Sequence, residues 1–341
     1  MRVFVTHNPE DLDAYYARSL PDLRAIAEVT LNPLDRDLES GELAEAAAHH
    51  DVIIAHRSTP ADALLFETLP DLLALLRCAI DVSTIDVDAA SQHGILVANA
   101  DKSFIASTAE LAIGLLLDVA RNISASACDY RAGVEPPQRP GWQISGLTAG
   151  IIGYGSIGAY LAVTLRALGM TVLVNDHDPD VGVGDDITPA SLGELLSASD
   201  VVFPLTPGGS ETAGLIGVDQ LATMKPGAAL INVSRGEVLD EGAVLDALDS
   251  GRLSGLGIDV GQSHDQRPSA ALAAHPLVVA TPHLGGLTAA NADAQADSSV
   301  KQVAAMIAHD APPRSLNFDD AHRLRAWWNQ EQSPDEQRNP S

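Results

Sequence analysis

From Gly150 onward, short uninterrupted apolar runs alternate with longer segments whose apolar residues return every three or four positions. The runs are "GIIGYG", "TVLVND", "DVVFPL", "AALINVS", "GLGIDV" and "LVVATPH". They recur every roughly 20 to 30 residues, which suits a strand, a crossover helix and two loops. Strands without polar alternation are buried on both faces, so the pattern predicts a parallel sheet covered by helices. One intervening segment, "DEGAVLDALDSGRL", puts Ala243, Val244, Leu245 and Leu248 on one helical face, and Gly251 can end that helix. The first hundred residues repeat the theme less regularly with "VFVTH", "DVIIAH", "LLALLRCAI" and "ILVANA". Helices are expected over Ser107 to Ile123 and Thr288 to Asp310, and the Pro/Gly-rich "RAGVEPPQRPGWQISGLTAG" reads as a surface loop. After Arg325 the chain turns polar and is expected to fray, although Trp327 and Trp328 could dock on the body.

Composition sharpens this α/β reading. A chain of 341 residues suits two domains, because single cores stop growing near roughly 250 to 300 residues. Acids outnumber bases 46 to 20, a formal net charge of −26. That field repels nucleic acid and anionic membranes, and an anionic substrate would need a local basic residue to hold it. The two cysteines, Cys78 and Cys128, make no disulfide framework, and no Cys/His cluster has metal-site spacing, so no metal is expected. The chain enters a strand-like run at once and lacks an apolar segment of membrane-spanning length, which predicts a soluble cytoplasmic protein.

The first apolar run after Gly150 leads into Gly153-Tyr154-Gly155-Ser156-Ile157-Gly158 and then a helical pattern. Glycines so spaced permit a tight turn, close approach of a pyrophosphate to the backbone and close helix packing. Alone the motif is weak. Here it leaves a predicted strand, and Asp176 ends the next one, 18 residues beyond Gly158. A carboxylate there accepts hydrogen bonds from ribose hydroxyls and repels a 2'-phosphate, which favours NAD over NADP.

Ligands on such sheets bind beyond the carboxyl ends of the strands. Three of those ends carry polar chemistry: Arg235 in "NVSRG", Asp259 in "GLGIDV" and His283 in "TPHLGG". A single histidine is more often structural and a single arginine more often a surface ion pair. Three polar strand ends on one rim point instead to a site.

Together these motifs resemble the D-isomer-specific 2-hydroxyacid dehydrogenase family, from about Val3 to Ala308. The resemblance rests on "AEL" at Ala109 to Leu111, "LTAGIIGYGSIG", "MKPGAALINVSRGEVLDEGAVLDAL", "GLGIDV" and "TPHLGG". It implies two doubly wound parallel-sheet domains, with a Rossmann NAD domain (100–284) inserted into a flavodoxin-like substrate domain (1–99 plus 285–325), substrate bound between them, and a polar tail (326–341). It also implies a homodimer formed through the cofactor domains. Among site residues it implies Arg235 as the substrate-orienting arginine and His283 as the acid/base. It puts the cofactor on Gly153 to Gly158, Asp176, Thr206, Pro207, Val233 and Gly286, with Asp259 at the nicotinamide amide.

Two departures stand out. The family pairs its histidine with a glutamate, and that position here is His264; the adjacent carboxylate, Asp265, is favoured as the replacement partner. The usually glycine-rich substrate-carboxylate loop reads "CAIDVSTID", with Ile80 and Asp81 as candidate substrate contacts and Arg57 of "AHRSTP" as a second anion anchor. The expected activity is hydride transfer between NAD and a 2-hydroxy or 2-oxo acid. Formate-dehydrogenase-like chemistry, with Gln262 and Gln266 near the histidine, and a non-catalytic NAD(H)-sensing protein are the alternatives.

Overall fold

The computed structural model describes residues 1–178, 181, 187–263 and 266–331. The chain divides into two compact units, Met1–Ser103 with Ala289–Ser341 and Phe104–Thr288. These are units 1 and 2.

Unit 1 holds a five-stranded sheet of β1 (Arg2–Val5), β2 (Glu28–Leu31), β3 (Val52–Ala55), β4 (Ala74–Arg77) and β5 (Leu96–Ala98), in the order β2-β1-β3-β4-β5. Every pairing is parallel. Alternate residues feed opposite faces: Val3, Val5, Val52 and Ile54 join one core cluster, while Phe4, Ile53, Ala55 and Leu75 join another. That two-sided burial is why these strands lack polar alternation, and each buried Val, Leu, Ile or Phe side chain contributes about 1.5 to 3 kcal/mol. The helix Ala289–Ile307 covers one face with Ala292, Ala296, Val303 and Met306, and Tyr16 Oη lies 2.7 Å from Ser299 Oγ beneath it. A helix at His322–Glu331 runs on past Arg325 into the segment read as a tail. Trp327 and Trp328 pack on the unit 1 core, and Trp328 Nε1 donates to the Met306 carbonyl at 2.8 Å.

Unit 2 holds β6 (Thr148–Ile152), β7 (Thr171–Asn175), β8 (Thr188–Pro189), β9 (Val201–Pro204), β10 (Ala228–Asn232), β11 (Leu253–Ile258) and β12 (Val278–Ala280), in the order β12-β11-β10-β9-β6-β7-β8. Again all pairings are parallel. The strand order reverses between β6 and β9, the point at which such sheets open a ligand crevice. The helix Ile105–Arg121 presents Thr108, Ala109, Ala112, Leu115, Leu116 and Ala120 inward and ends at Asn122, whose φ of 52° is left-handed. Among the described residues no single helix is long and apolar enough to cross a membrane.

Two strands escape the sequence pattern. β2 alternates exposed and half-buried residues, and β8 is two exposed residues at a sheet edge. Neither makes an apolar run.

Candidate active site

β6 ends at Ile152 and a twelve-residue helix starts at Ser156. Gly153 turns the chain with φ +95°, and a Cβ on it would lie 2.9 Å from the Leu205 backbone; one on Gly158 would lie 2.4 Å from the Gly153 carbonyl oxygen. The outer side of the turn is different: a Cβ on Gly155 would meet nothing within 4 Å. Helix Ser156–Ala167 has Gly155 as its N-cap and no capping side chain, so its first N–H groups suit a phosphate. Tyr154 and Ile157 lean on the unit 2 core.

Asp176 follows β7 and ties this loop to the next strand. Its carboxylate accepts the Tyr154 N–H at 2.6 Å and the Asp178 N–H at 3.1 Å, and His177 Nδ1 stands 2.8 Å away. Burial opposes its charge, but the Tyr154 and Asp178 donors and His177 prevail and hold its pKa below the usual carboxylate range. Beyond β9, Thr206 Oγ1 is buried without a hydrogen-bond partner among the described residues, beside the exposed Pro207. A buried hydroxyl ordinarily has a partner. An open glycine turn, an uncapped helix start, an anionic Asp176 and this orphaned hydroxyl fit a dinucleotide. Val233 instead puts its side chain in the core.

The polar strand ends are brought together by the sheet itself. Asn232, Ile258 and Ala280 are register partners on β10, β11 and β12. Asn232 is fully buried; its Nδ2 donates to the Arg235 carbonyl at 2.9 Å, and its Oδ1 accepts Ser234 N–H and Oγ–H at 3.0 Å each. That closes the turn which presents the half-buried Arg235, and Gly236 just beyond it backs onto Gly261.

Asp259 is also fully buried. Its Oδ1 accepts Thr281 Oγ–H at 2.6 Å and Leu284 N–H at 2.7 Å, and its Oδ2 accepts Gly285 N–H at 2.8 Å. Its backbone joins in, donating to Asn232 O at 3.0 Å and accepting the His283 N–H at 2.9 Å. A buried carboxylate is tolerated when donors surround it in this way. His283, half-buried, is held inside that knot at φ +62°, a conformation that costs a non-glycine residue about 1 kcal/mol or more. Expected at the nicotinamide amide, Asp259 thus shapes the turn that carries His283. Asn232 and Thr281 escaped the sequence reading, and an amide or hydroxyl at a strand end was the only signal for them.

His264 and Asp265, the candidate partners of His283, lie outside the described residues. Gly261 N–H donates to Gln266 O at 2.7 Å and Ser263 N–H to Arg267 O at 3.1 Å. Gly286 is half-buried beyond His283.

In unit 1, Arg57 is exposed after β3. The Ile80 carbonyl accepts Asn99 Nδ2–H at 2.9 Å. Asp81 is exposed and turns back on its own loop, accepting Ser83 N–H at 2.9 Å and Ser83 Oγ–H at 3.1 Å. Near them sit buried basic groups that the sequence did not reveal. Arg77 is fully buried, and His7 is 2% exposed with its ring 4.9 Å from that of His56. Burial, aided by His56 and Arg77, pushes the His7 pKa down to about 3. The ligand atoms of Asp11, Asp37 and His56 come within 4.8 Å of one another, and the Asn8 amide already donates to both carboxylates.

Two parallel α/β units, one carrying a glycine turn, a ribose-suited acid and a polar rim on adjacent strand ends, define a dinucleotide-binding protein of the doubly wound class. Residues 113–285 match the model of the D-isomer specific 2-hydroxyacid dehydrogenase NAD binding domain. D-3-phosphoglycerate dehydrogenase of Mycobacterium leprae (strain TN) is 33% identical over 283 residues, 82% of this chain and 53% of that protein. Glyoxylate reductase of Thermococcus litoralis is 30% identical over 289 residues, covering 82% and 87%. A solved structure from Thermus thermophilus is 31% identical with a TM-score of 0.80, covering 93% of this chain and all of that one. The chain belongs to the D-isomer specific 2-hydroxyacid dehydrogenase family, and NAD is the cofactor of the matched domain. It spans about half the length of the mycobacterial relative.

Proposed function

We propose that this protein is an NAD-dependent oxidoreductase that interconverts a 2-hydroxy acid and its 2-oxo acid, with unit 2 as the cofactor unit and unit 1 as the substrate unit. The carrying observation is the Asp259 knot, which holds His283 in a left-handed turn one strand away from the β11 end and two from Arg235. NAD, when bound, supplies the hydride acceptor, and its reduced form the donor. His283 as imidazolium gives a proton to the substrate carbonyl oxygen during reduction and takes it back during oxidation. Arg235 grips the substrate carboxylate at two points and faces the negative charge developing on the neighbouring oxygen. Asp176 takes the adenosine ribose hydroxyls. The recess of about 290 Å³ beside it also carries Asp178 and Glu194, so a 2'-phosphate would meet three acids there. Thr206 and Pro207 line the adenine side, and the backbone of Val233, the turn that Asp259 holds and Gly286 the nicotinamide side. Arg57, Ile80 and Asp81 are the substrate contacts of unit 1.

A homodimer is part of this reading. It is supported by large apolar side chains exposed on unit 2, among them Ile123 (55%), Tyr130 (67%) and Val134 (55%). Sedimentation at micromolar concentration tests it, and a monomer would remove it.

The deciding experiment is NADH oxidation across a panel of 2-oxo acids, with NAD reduction by formate alongside. Turnover of a 2-oxo acid, together with loss of both binding and rate in Arg235→Lys, is expected, since an ammonium cannot reproduce the planar grip. Turnover of formate alone would replace the reading with formate oxidation, and NAD(H) binding without turnover would replace it with a sensor.

A further inference from the structure

Arg77 is the largest side chain that the described structure buries completely, and it closes β4. Its Nη1 donates to the His56 carbonyl, and its Nη2 donates to Thr59 O at 2.8 Å and Thr84 Oγ1 at 2.6 Å. These acceptors belong to two loops, one after β3 and one after β4. Thr84 Oγ1 donates in turn to Thr59 O at 3.2 Å, and the Ala61–Thr84 and Asp86–Ala61 backbone bonds, 3.0 and 2.8 Å, continue the seam. Arg57 stands in the first loop, Ile80 and Asp81 in the second.

The energetics make this an unusual choice for a core position. No carboxylate among the described residues lies within salt-bridge distance of Arg77, although the charge of Asp81 favours the cation, and its Nε has no acceptor. Desolvating a cation hydrogen-bonded only to carbonyls and a hydroxyl is costly, and an apolar side chain would fill the same space without that cost. An apolar side chain could not hold three acceptors from two loops. A lysine would not do so either, because its ammonium lacks the planar, forked donor set.

We propose that Arg77 is a positioning residue of unit 1, a buried clamp that fixes the loop bearing Arg57 to the loop bearing Ile80 and Asp81 so that they present one rigid substrate-binding rim. This rests on the reading of those three residues as substrate contacts. The clamp acts on ground-state binding of the 2-oxo acid and leaves the proton transfer at His283 alone.

Two variants and two readouts test it. Arg77→Lys should raise KM for the 2-oxo acid about tenfold or more, and the milder Thr84→Val, which removes one acceptor, about threefold. In both, kcat and the NADH dissociation constant should stay within about twofold, the signature of lost uniform binding rather than lost chemistry. Amide hydrogen exchange should quicken in residues 56–61 and 78–86 together. If Thr84→Val leaves KM and the exchange of both loops at parental values, the clamp is overturned, whatever Arg77→Lys does to folding. Should the parent reduce no 2-oxo acid, the catalytic reading fails and exchange alone decides: joint acceleration supports the clamp, and acceleration in one loop only overturns it.

Discussion

The carboxyl-end rims of the two sheets handle charge in opposite ways. On unit 2, the fully buried groups are the acceptor Asp259 and the amide Asn232, each hydrogen-bonded to its neighbours, while Arg235 and His283 remain half-buried on the turns those two hold. On unit 1 two of the basic groups go inside, Arg77 fully and His7 nearly so, while Arg57 and the acid Asp81 stay out. Half-buried basic groups on a scaffolded turn can exchange protons and grip anions. Buried ones either lose their charge, as His7 does, or become part of the scaffold, as Arg77 does.

That contrast can be broken most sharply at His283. His283→Ala should cost on the order of a hundredfold or more in the rate of 2-oxo acid reduction, while NADH affinity stays close to parental. Stopped-flow single turnovers measure both. A loss under about threefold would remove His283 from proton transfer.

His7 gives the counterpart on unit 1. Its folded pKa of about 3 lies below the unfolded value of about 6.5, so between these the unfolded chain binds the proton and the folded one does not. Stability therefore falls as pH drops through that window. Between pH 7 and 4.5 this one group should contribute a loss of roughly 2 to 3 kcal/mol. In a Trp142→Phe background, urea unfolding followed by Trp327 and Trp328 should show a shallower pH dependence for His7→Leu. An unchanged slope would mean that His7 binds its proton equally well in the folded and unfolded chain.

A smaller effect is expected at the cofactor. Replacing Asp176 with Ser and placing Arg at His177 removes a carboxylate and adds a phosphate donor, so the NAD to NADP preference should fall about tenfold or more. Equal preference in parent and variant would show that the ribose is held elsewhere.

The mildest test concerns the partner of His283. If Asp265 orients the His283 imidazole, Asp265→Asn should slow 2-oxo acid reduction by about tenfold with the NADH dissociation constant unchanged. His264→Ala should leave that rate within about twofold of parental. The reverse pattern would transfer the role to His264.

The elements most legible in the sequence are those whose signals are local. Most interior strands of the two sheets are buried on both faces and so read as apolar runs, whereas β2, with every second residue exposed, and the two-residue β8 make no such run. The Gly153 to Gly158 turn could be read because its glycines answer a backbone requirement visible at those positions. Arg235 and His283 stood out because each follows a strand directly and because their motifs resemble a known family. Arg77 did not stand out, since "LLALLRCAI" reads as a strand that simply ends in a charge.

By itself, the sequence determined where strands, helices and the phosphate-suited turn would form, because torsional preference and the cost of desolvating a run of side chains act over a few residues. The tertiary structure alone decided what each buried polar group would hold. Asp259 finds its donors at Thr281, Leu284 and Gly285, and Arg77 its acceptors at His56, Thr59 and Thr84. A hydrogen bond requires its partner within about 3 Å, and only the packing of strands distant in sequence brings such partners together.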